Sequence, residues 1–324
     1  MTPVAPADIP LPAAAAEPVA PVKAPRIAVL VPCYNEAITV GAVVRDFRRA
    51  LPEAAIYVFD NNSSDDTAAL ARQAGAVVIR EKKQGKGHVV AAMLEKVEAD
   101  CYVMVDGDDT YPAEAVRELL APVLQERADM AVGRRMAVDQ RRAYRRFHVF
   151  GNRLVVWLIN TIFGAKLTDI MSGYRAFTRA VALHLPVLAY GFDIETEMTL
   201  QCLYRRWVIV EVPVAYRERP AGSASKLNTV SDGLRVLFRI LNVFRSYKPL
   251  TFFGLIGLAL LAAAGGFGLA ALAGAGRSGA YRTSMIVLAA AAAAMSLVSA
   301  AIGVIVQHVN FRFLELDSLL RRRK

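Results

Sequence analysis

A chain of 324 residues that is 55% hydrophobic, with mean hydropathy +0.34, is too apolar for an ordinary soluble protein and long enough for one sizeable domain plus an addition. The formal charge of +10 and pI near 9.7 suit anionic lipid or phosphorylated partners, while the absence of any groove-reading motif argues against nucleic acid. Cys33, Cys101 and Cys202 lie far apart with no CxxC pair, which excludes a disulfide framework and a cysteine zinc site.

Residues 1–25 are Ala/Pro-rich and lack both the basic start and the unbroken apolar core of a secretory signal, so they read as a disordered leader. From Arg26 onward, apolar runs predict strands at 27–31, 56–59, 76–79, 102–105 and 130–132. Helical patterns fall between them at 40–50, 67–73, 87–97 and 113–125. That alternation predicts an α/β domain over 26–224 with a mostly parallel, doubly wound sheet. Polar clusters follow the strands where ligands bind in such folds: Cys33-Tyr34-Asn35-Glu36, Asp60-Asn61-Asn62-Ser63, and Asp106, Asp108 and Asp109. Their convergence on one sheet edge predicts a nucleotide-type site.

The run YVMVDGDDTYP at 102–112 is the most informative of these. Its carboxylates repel one another, and hard oxygen ligands suit an octahedral Mg²⁺ or Mn²⁺ shared with substrate phosphates. Asp106 and Asp108 project to the same side of an extended segment. An acidic turn opening the helix near Pro112 is the alternative reading. Neither GxGxxG nor GxxxxGK[ST] is present. Gly85-Lys86-Gly87 reads either as a strand-to-helix turn or as a lysine meeting a diphosphate.

A basic run follows: Arg134, Arg135, Arg141, Arg142, Arg145, Arg146 and Arg153. It reads as a solvated face or, beside the proposed site, as guanidinium groups holding an anionic acceptor. The loop 168–175 mixes Asp169, Gly173 and Arg175, whereas 191–197 reads as a helix start whose acidic residues suit the dipole. Residues 225–248 carry an apolar stripe with Arg235, Arg239 and Arg245 beside it, which predicts an amphipathic interfacial helix, with a helix packed on the domain itself as the alternative.

No charged residue occurs in 249–276 or in 283–310. A bilayer core of about 30 Å needs about 20 apolar helical residues, so two spans are expected, near 250–273 and 283–306. The short connection holding Arg277 and Arg282 makes them a hairpin, and the basic flanks, including the 311–324 tail, place the domain and both termini in the cytosol. Small-residue faces such as Gly254/Gly257 favour helix packing and hence a homo-oligomer.

The chain resembles the dolichol-phosphate-mannose-synthase-like branch of glycosyltransferase family 2, from about residue 26 to the hairpin. The resemblance rests on VPCYNEA at 31–37, DNNSSDDT at 60–67, VDGDDTYP at 105–112, GRR at 133–135, TDIMSGYRAF at 168–177 and YRERPAGSASKL at 216–227. It implies a GT-A fold, a nucleoside-diphosphate-sugar donor (UDP- or GDP-linked), Mg²⁺ or Mn²⁺, and a polyprenyl-phosphate acceptor at the cytoplasmic membrane. Carried over by motif, Pro32, Tyr34, Glu36 and Asp60 contact the base and ribose. Asp106 and Asp108 bind the metal, Arg134 or Arg135 with Arg145 hold the acceptor phosphate, and Asp169 faces the sugar or acceptor. Processive relatives carry QxxRW, but Gln201 here is followed by CLYRRW, so the spacing to Arg206-Trp207 differs. The expected reaction is transfer of a single sugar to the lipid phosphate with inversion. A hydroxyl acceptor, with Asp169 or Asp193 as base, and a non-catalytic scaffold are the alternatives.

Overall fold

The computed structural model describes residues 24–137, 145–187, 194–220, 241–242, 244–274, 276 and 278–321. Strands β1 (Ile27–Cys33), β2 (Ala55–Asp60), β3 (Val77–Arg80), β4 (Cys101–Met104), β5 (Met130–Ala137), β6 (Arg175–Thr178) and β7 (Ile209–Tyr216) form one seven-stranded sheet. Its order is β3-β2-β1-β4-β6-β5-β7. β6 runs antiparallel to both neighbours, and the other pairings are parallel.

Strand residues alternate between two cores. Val29, Val31, Val103 and Val105 face α1 (Val40–Ala50) and α4 (Val116–Leu124), packing with Val43, Phe47, Leu119 and Leu120. Leu30, Tyr102 and Met104 face α3 (Lys86–Lys96), α6 (Arg179–His184) and α7 (Ile194–Tyr204), packing with Val89, Met93, Val181 and Met198. A sheet covered on both faces needs apolar residues at every strand position. That is why β1 and β4 read as unbroken apolar runs. A short helix α2 (Thr67–Gln73) covers β2 and β3. Between β5 and β6 lies α5 (Arg145–Phe163), which packs through Val155 and Ile159 onto Leu167, Ile170 and Leu200.

The first strands and the helices between them lie where the sequence predicts, with α3 starting at Lys86. Two strands were not foreseen. β6 opens on Arg175, a charged residue with no exposed surface. β7 holds Glu211 and Pro213; Pro is tolerated there because β7 is the last strand of the sheet.

Two long helices end the chain, α8 (Pro249–Ala273) and α9 (Gly279–Arg321). Only 11% and 6% of their apolar windows are buried, so neither is a core helix of a soluble domain. They pack on each other closely. Ser296 Oγ donates to the Gly257 carbonyl at 2.7 Å and Ser299 Oγ to that of Phe253 at 2.8 Å. A Cβ on Gly257 would come 3.2 Å from the Ser296 carbonyl oxygen, so the small residue permits the approach. α9 continues as helix through residues the sequence assigns to a tail. Most of the expected interfacial helix, residues 225–240 and 243, and the leader to residue 23 lie outside the described residues.

Candidate active site

β1 and β4 are adjacent parallel strands, and their carboxyl ends meet where the strand order reverses, the chain running outward from β1 to β2 and β3 on one side and from β4 toward β6, β5 and β7 on the other. Ligands bind at such a switch point. The approach is tight: a Cβ on Gly107 would lie 2.5 Å from Cys33 Sγ. The loop after β1 is shaped by polar contacts. Asn35 takes a positive φ of 53°, tolerated by its short polar side chain, and its Oδ1 accepts the Ser64 N–H at 2.8 Å. Thr67 Oγ1 accepts the Glu36 N–H at 2.8 Å, and Thr39 Oγ1 donates to the Gly107 carbonyl at 2.6 Å. These bonds tie the ends of β1, β2 and β4 together and hold Glu36 buried while Tyr34 stays exposed. Pro32 sits half-buried on β1. Asp60, buried at the end of β2, accepts the Ser63 N–H at 3.2 Å.

Two aspartates follow β4, each facing a basic side chain. Lys86 Nζ donates to Asp106 Oδ1 at 2.6 Å and also to the Glu195 carboxylate at the start of α7. Burial alone would pull the Lys86 pKa down, but the Asp106 and Glu195 carboxylates outweigh it and hold the ammonium above the usual lysine range. Asp106 Oδ2 occupies space that only glycine at 173 leaves, since a Cβ there would be 2.3 Å away. Asp108 is buried. Its Oδ1 accepts the Thr110 hydroxyl at 2.7 Å, and its Oδ2 pairs with Arg219 at 2.6 Å. The same guanidinium lies 3.9 Å from Glu36. The adjacent Asp109 adopts φ 59° and its carboxyl is pushed up by burial and by Asp46 nearby.

A second charged group stands beside the first. Arg135 on β5 forks onto Asp169, Nε at 2.7 Å and Nη2 at 2.9 Å, and its own N–H donates at 3.1 Å. Burial raises the Asp169 pKa, but the Arg135 bonds overcome that and hold it below the usual carboxylate range. Glu211 of β7 fixes the preceding turn, accepting from the Thr168 N–H at 2.6 Å and the Asp169 N–H at 2.7 Å. Tyr111 links the two groups, its hydroxyl accepting from Gly173 N–H at 3.2 Å. Burial, with Asp106 nearby, pushes that phenol up, so it stays protonated.

The structure therefore gives two ion-paired groups after β4, Asp106 with Lys86 and Glu195, and Asp108 with Arg219 and Glu36, with Asp60 at the end of the neighbouring strand β2. Asp169 lies in the adjoining group, locked to Arg135 rather than open to a proton. Arg134 sits half-buried next to Arg135 on β5. Arg145 begins α5, but its side chain and Asp193 lie outside the described residues. Sequence reasoning missed Arg219 and Glu195. The only local signal for Arg219 was its place in the 216–227 motif, and Glu195 passed as a helix-dipole residue although it is buried against Lys86.

Asp106 and Asp108 form a pair of hard oxygen donors. Among the described residues no group of three or more His, Cys, Asp or Glu side chains could hold a metal. An ion shared with substrate phosphates needs only one or two carboxylates, so the pair fits a substrate-bridged Mg²⁺ or Mn²⁺ and not a dedicated cage.

The profile described as "Glycosyl transferase family 2" matches residues 28–184. Glycosyltransferase AglJ of Haloferax volcanii is 37% identical over 245 residues, covering 75% of this chain and 80% of that protein. A dolichyl-phosphate hexose transferase of the same organism is 31% identical over 210 residues, 65% of this chain and 90% of that protein. The fold is also like that of Mycobacterium tuberculosis glucosyl-3-phosphoglycerate synthase, solved in complex with Mg²⁺ and UDP. That likeness has TM-score 0.55 at 21% identity and covers 69% of this chain and 79% of that one.

Proposed function

The chain belongs to glycosyl transferase family 2, and we propose that it transfers one sugar from a nucleoside-diphosphate sugar to a polyprenyl phosphate. The reaction takes place at the cytosolic leaflet of the cytoplasmic membrane, and the anomeric centre inverts. One observation carries this reading. Two ion-paired carboxylate groups, Asp106 with Lys86 and Asp108 with Arg219 and Glu36, follow β4 where the strand order reverses in a chain that ends in two long apolar helices. The dolichyl-phosphate hexose transferase relative supports a lipid-phosphate acceptor, and the structural likeness to a synthase solved with Mg²⁺ and UDP supports a metal–nucleotide donor.

Asp106 and Asp108 would hold Mg²⁺ or Mn²⁺, which when bound neutralises charge on the departing diphosphate. Lys86 and Arg219 supply fixed positive charge beside those carboxylates, suited to diphosphate oxygens. Glu36, Asp60, Tyr34 and Pro32 line the approach where base and ribose are expected. Arg134 and Arg145 are the cations assigned to the acceptor phosphate, and Arg135 acts through its pair with Asp169.

A phosphate monoester has its second pKa at about 6 and attacks as a dianion without a general base. An alcohol acceptor needs one. Asp169 is a poor base, because Arg135 stabilises its ionised form. That weighs against a hydroxyl acceptor served by Asp169; Asp193, the other candidate base, lies outside the described residues. The deciding experiment offers labelled UDP- and GDP-sugars with polyprenyl phosphate and with the matching free polyprenol, before and after exhaustive chelation. The expected result is metal-dependent product from the phosphorylated lipid alone. Equal transfer to the free alcohol, or full turnover after chelation, overturns the reading.

A further inference from the structure

We propose that Arg219 is a resident counter-ion of the metal-binding carboxylates. It holds Asp108 until a divalent ion and a nucleoside diphosphate arrive together, and then turns to the diphosphate. The inference rests on the metal reading of Asp106 and Asp108.

Both aspartates face a cation of the chain itself, but in different ways. Asp106 pairs with Lys86 at 2.6 Å, and the same ammonium also meets Glu195. Lys86 therefore keeps a carboxylate partner if Asp106 turns to another cation. Asp108 is more constrained. Its side chain is 5% exposed; Oδ1 accepts the Thr110 N–H at 3.2 Å and hydroxyl at 2.7 Å, and Oδ2 pairs with Arg219 at 2.6 Å. The oxygen that Thr110 leaves to an incoming cation is the one that Arg219 holds.

Arg219 is also placed to leave. It stands just beyond the end of β7, and its side chain is 30% exposed. The backbone before it is anchored independently. The Arg217 N–H donates to the Thr110 carbonyl at 2.9 Å, and the Arg217 guanidinium lies 3.6 Å from Glu114. Rotation of the Arg219 side chain moves its guanidinium without detaching the chain from the aspartate loop.

Each half of the exchange is unfavourable alone. A buried carboxylate stripped of its cation is strongly destabilised, so Arg219 does not leave Asp108 unless another cation replaces it. A divalent ion at Asp108 would in turn sit against the guanidinium, a like-charge contact, unless an anion draws the guanidinium away. A planar guanidinium matches phosphate oxygens with two parallel hydrogen bonds. When ion and diphosphate come together, every charge keeps a partner. Arg219 thus couples the two ligands, and the coupling is reciprocal.

The test uses the full chain in detergent. Binding of Mn²⁺ alone is followed by electron paramagnetic resonance, and binding of UDP and of GDP by calorimetry with and without saturating Mn²⁺. Arg219→Gln should bind Mn²⁺ alone about tenfold more tightly than wild type, and the nucleotide at saturating Mn²⁺ about tenfold more weakly, the worth of one charge-assisted hydrogen bond in each case. A merely structural guanidinium would not move the two affinities in opposite directions. Arg217→Gln removes the same charge from the same stretch of chain, and should leave both affinities within about twofold. Arg219→Lys keeps the charge without the fork; it should fall between, and it carries the test should Arg219→Gln fold poorly. Unchanged or weaker Mn²⁺ binding in the Arg219 variants overturns the proposal, as does unchanged nucleotide affinity, or an equal rise in Mn²⁺ affinity in Arg217→Gln. Asp108→Asn separates this from the metal reading. If that variant binds nucleotide with full Mn²⁺ dependence, the metal role of the pair fails and the exchange falls with it; if the dependence is lost while Arg219→Gln behaves as wild type, the exchange alone fails.

Discussion

The Arg135–Asp169 pair gives the sharpest test of the site's electrostatics. The Asp169 side chain is only 8% exposed and that of Arg135 28% exposed. Asp169→Asn keeps the volume but removes the charge, and its amide places donors against a guanidinium that can only donate. Removing one partner of a buried ion pair costs about 3–5 kcal/mol, and the partial exposure of Arg135 argues for the lower end, about 3 kcal/mol. At about 2–4 °C per kcal/mol for a domain of this size, the melting temperature should fall by about 6–12 °C.

The loss should also depend on pH. Because the folded-state pKa of Asp169 is depressed, its contribution is fully present above the unfolded value of about 3.9 and is lost as pH falls through the folded value. Wild type and Asp169→Asn should therefore differ at pH near neutral and converge in acid. Thermal unfolding of detergent-solubilised protein, followed by circular dichroism across that range, measures both effects. A variant melting within about 1 °C of wild type at neutral pH refutes the argument, and so does a gap that stays constant in acid.

Asp108→Asn should abolish turnover at saturating Mn²⁺, because the buried carboxylate is both half of the donor pair and the partner of Arg219; near-normal turnover removes the metal role. Lys86→Met should leave Asp106 and Glu195 facing each other without their shared cation and should weaken nucleotide-sugar binding, read by calorimetry; unchanged affinity would assign Lys86 a purely structural part. Truncation after Lys248 should impair turnover on a long-chain acceptor more than on a short soluble analogue, and equal loss on both would count against a headgroup-level site.

Much of this architecture was legible because it repeats simple rules. β1 and β4 are apolar at every position, and helical patterns separate them from β2 and β3, so a parallel sheet covered on both faces followed directly. The elements that escaped notice break those rules for tertiary reasons. Arg175 can open a buried strand because the Ser172 and Ile170 carbonyls and Thr199 Oγ1 accept its guanidinium at 2.8, 2.7 and 2.9 Å. No local pattern foretells such a socket. β7 tolerates Pro213 only through its edge position. The aspartates after β4 stood out as a cluster in one stretch of chain. Their partners did not, since Glu195 and Arg219 arrive from α7 and from beyond β7.

Those distant partners also explain how the site is tied to the apolar hairpin. β7 ends beside the aspartate loop: the Arg217 N–H donates to the Thr110 carbonyl at 2.9 Å, and Arg219 reaches Asp108 two residues later. The same stretch of chain then leads on toward Tyr247 and Pro249. A second connection runs through α5 and α7, whose ends clasp Tyr247 through Phe163 and Tyr204. One connection is covalent and ends on Asp108, the carboxylate paired with Arg219; the other is packed and ends near Asp169 and Arg135. The packed contact at Tyr247 restrains orientation, which a chain connection alone does not. The proposed reaction, between a dissolved nucleotide sugar and a phosphate held at a membrane surface, would need that restraint, because proximity accelerates only when the reacting atoms are also oriented.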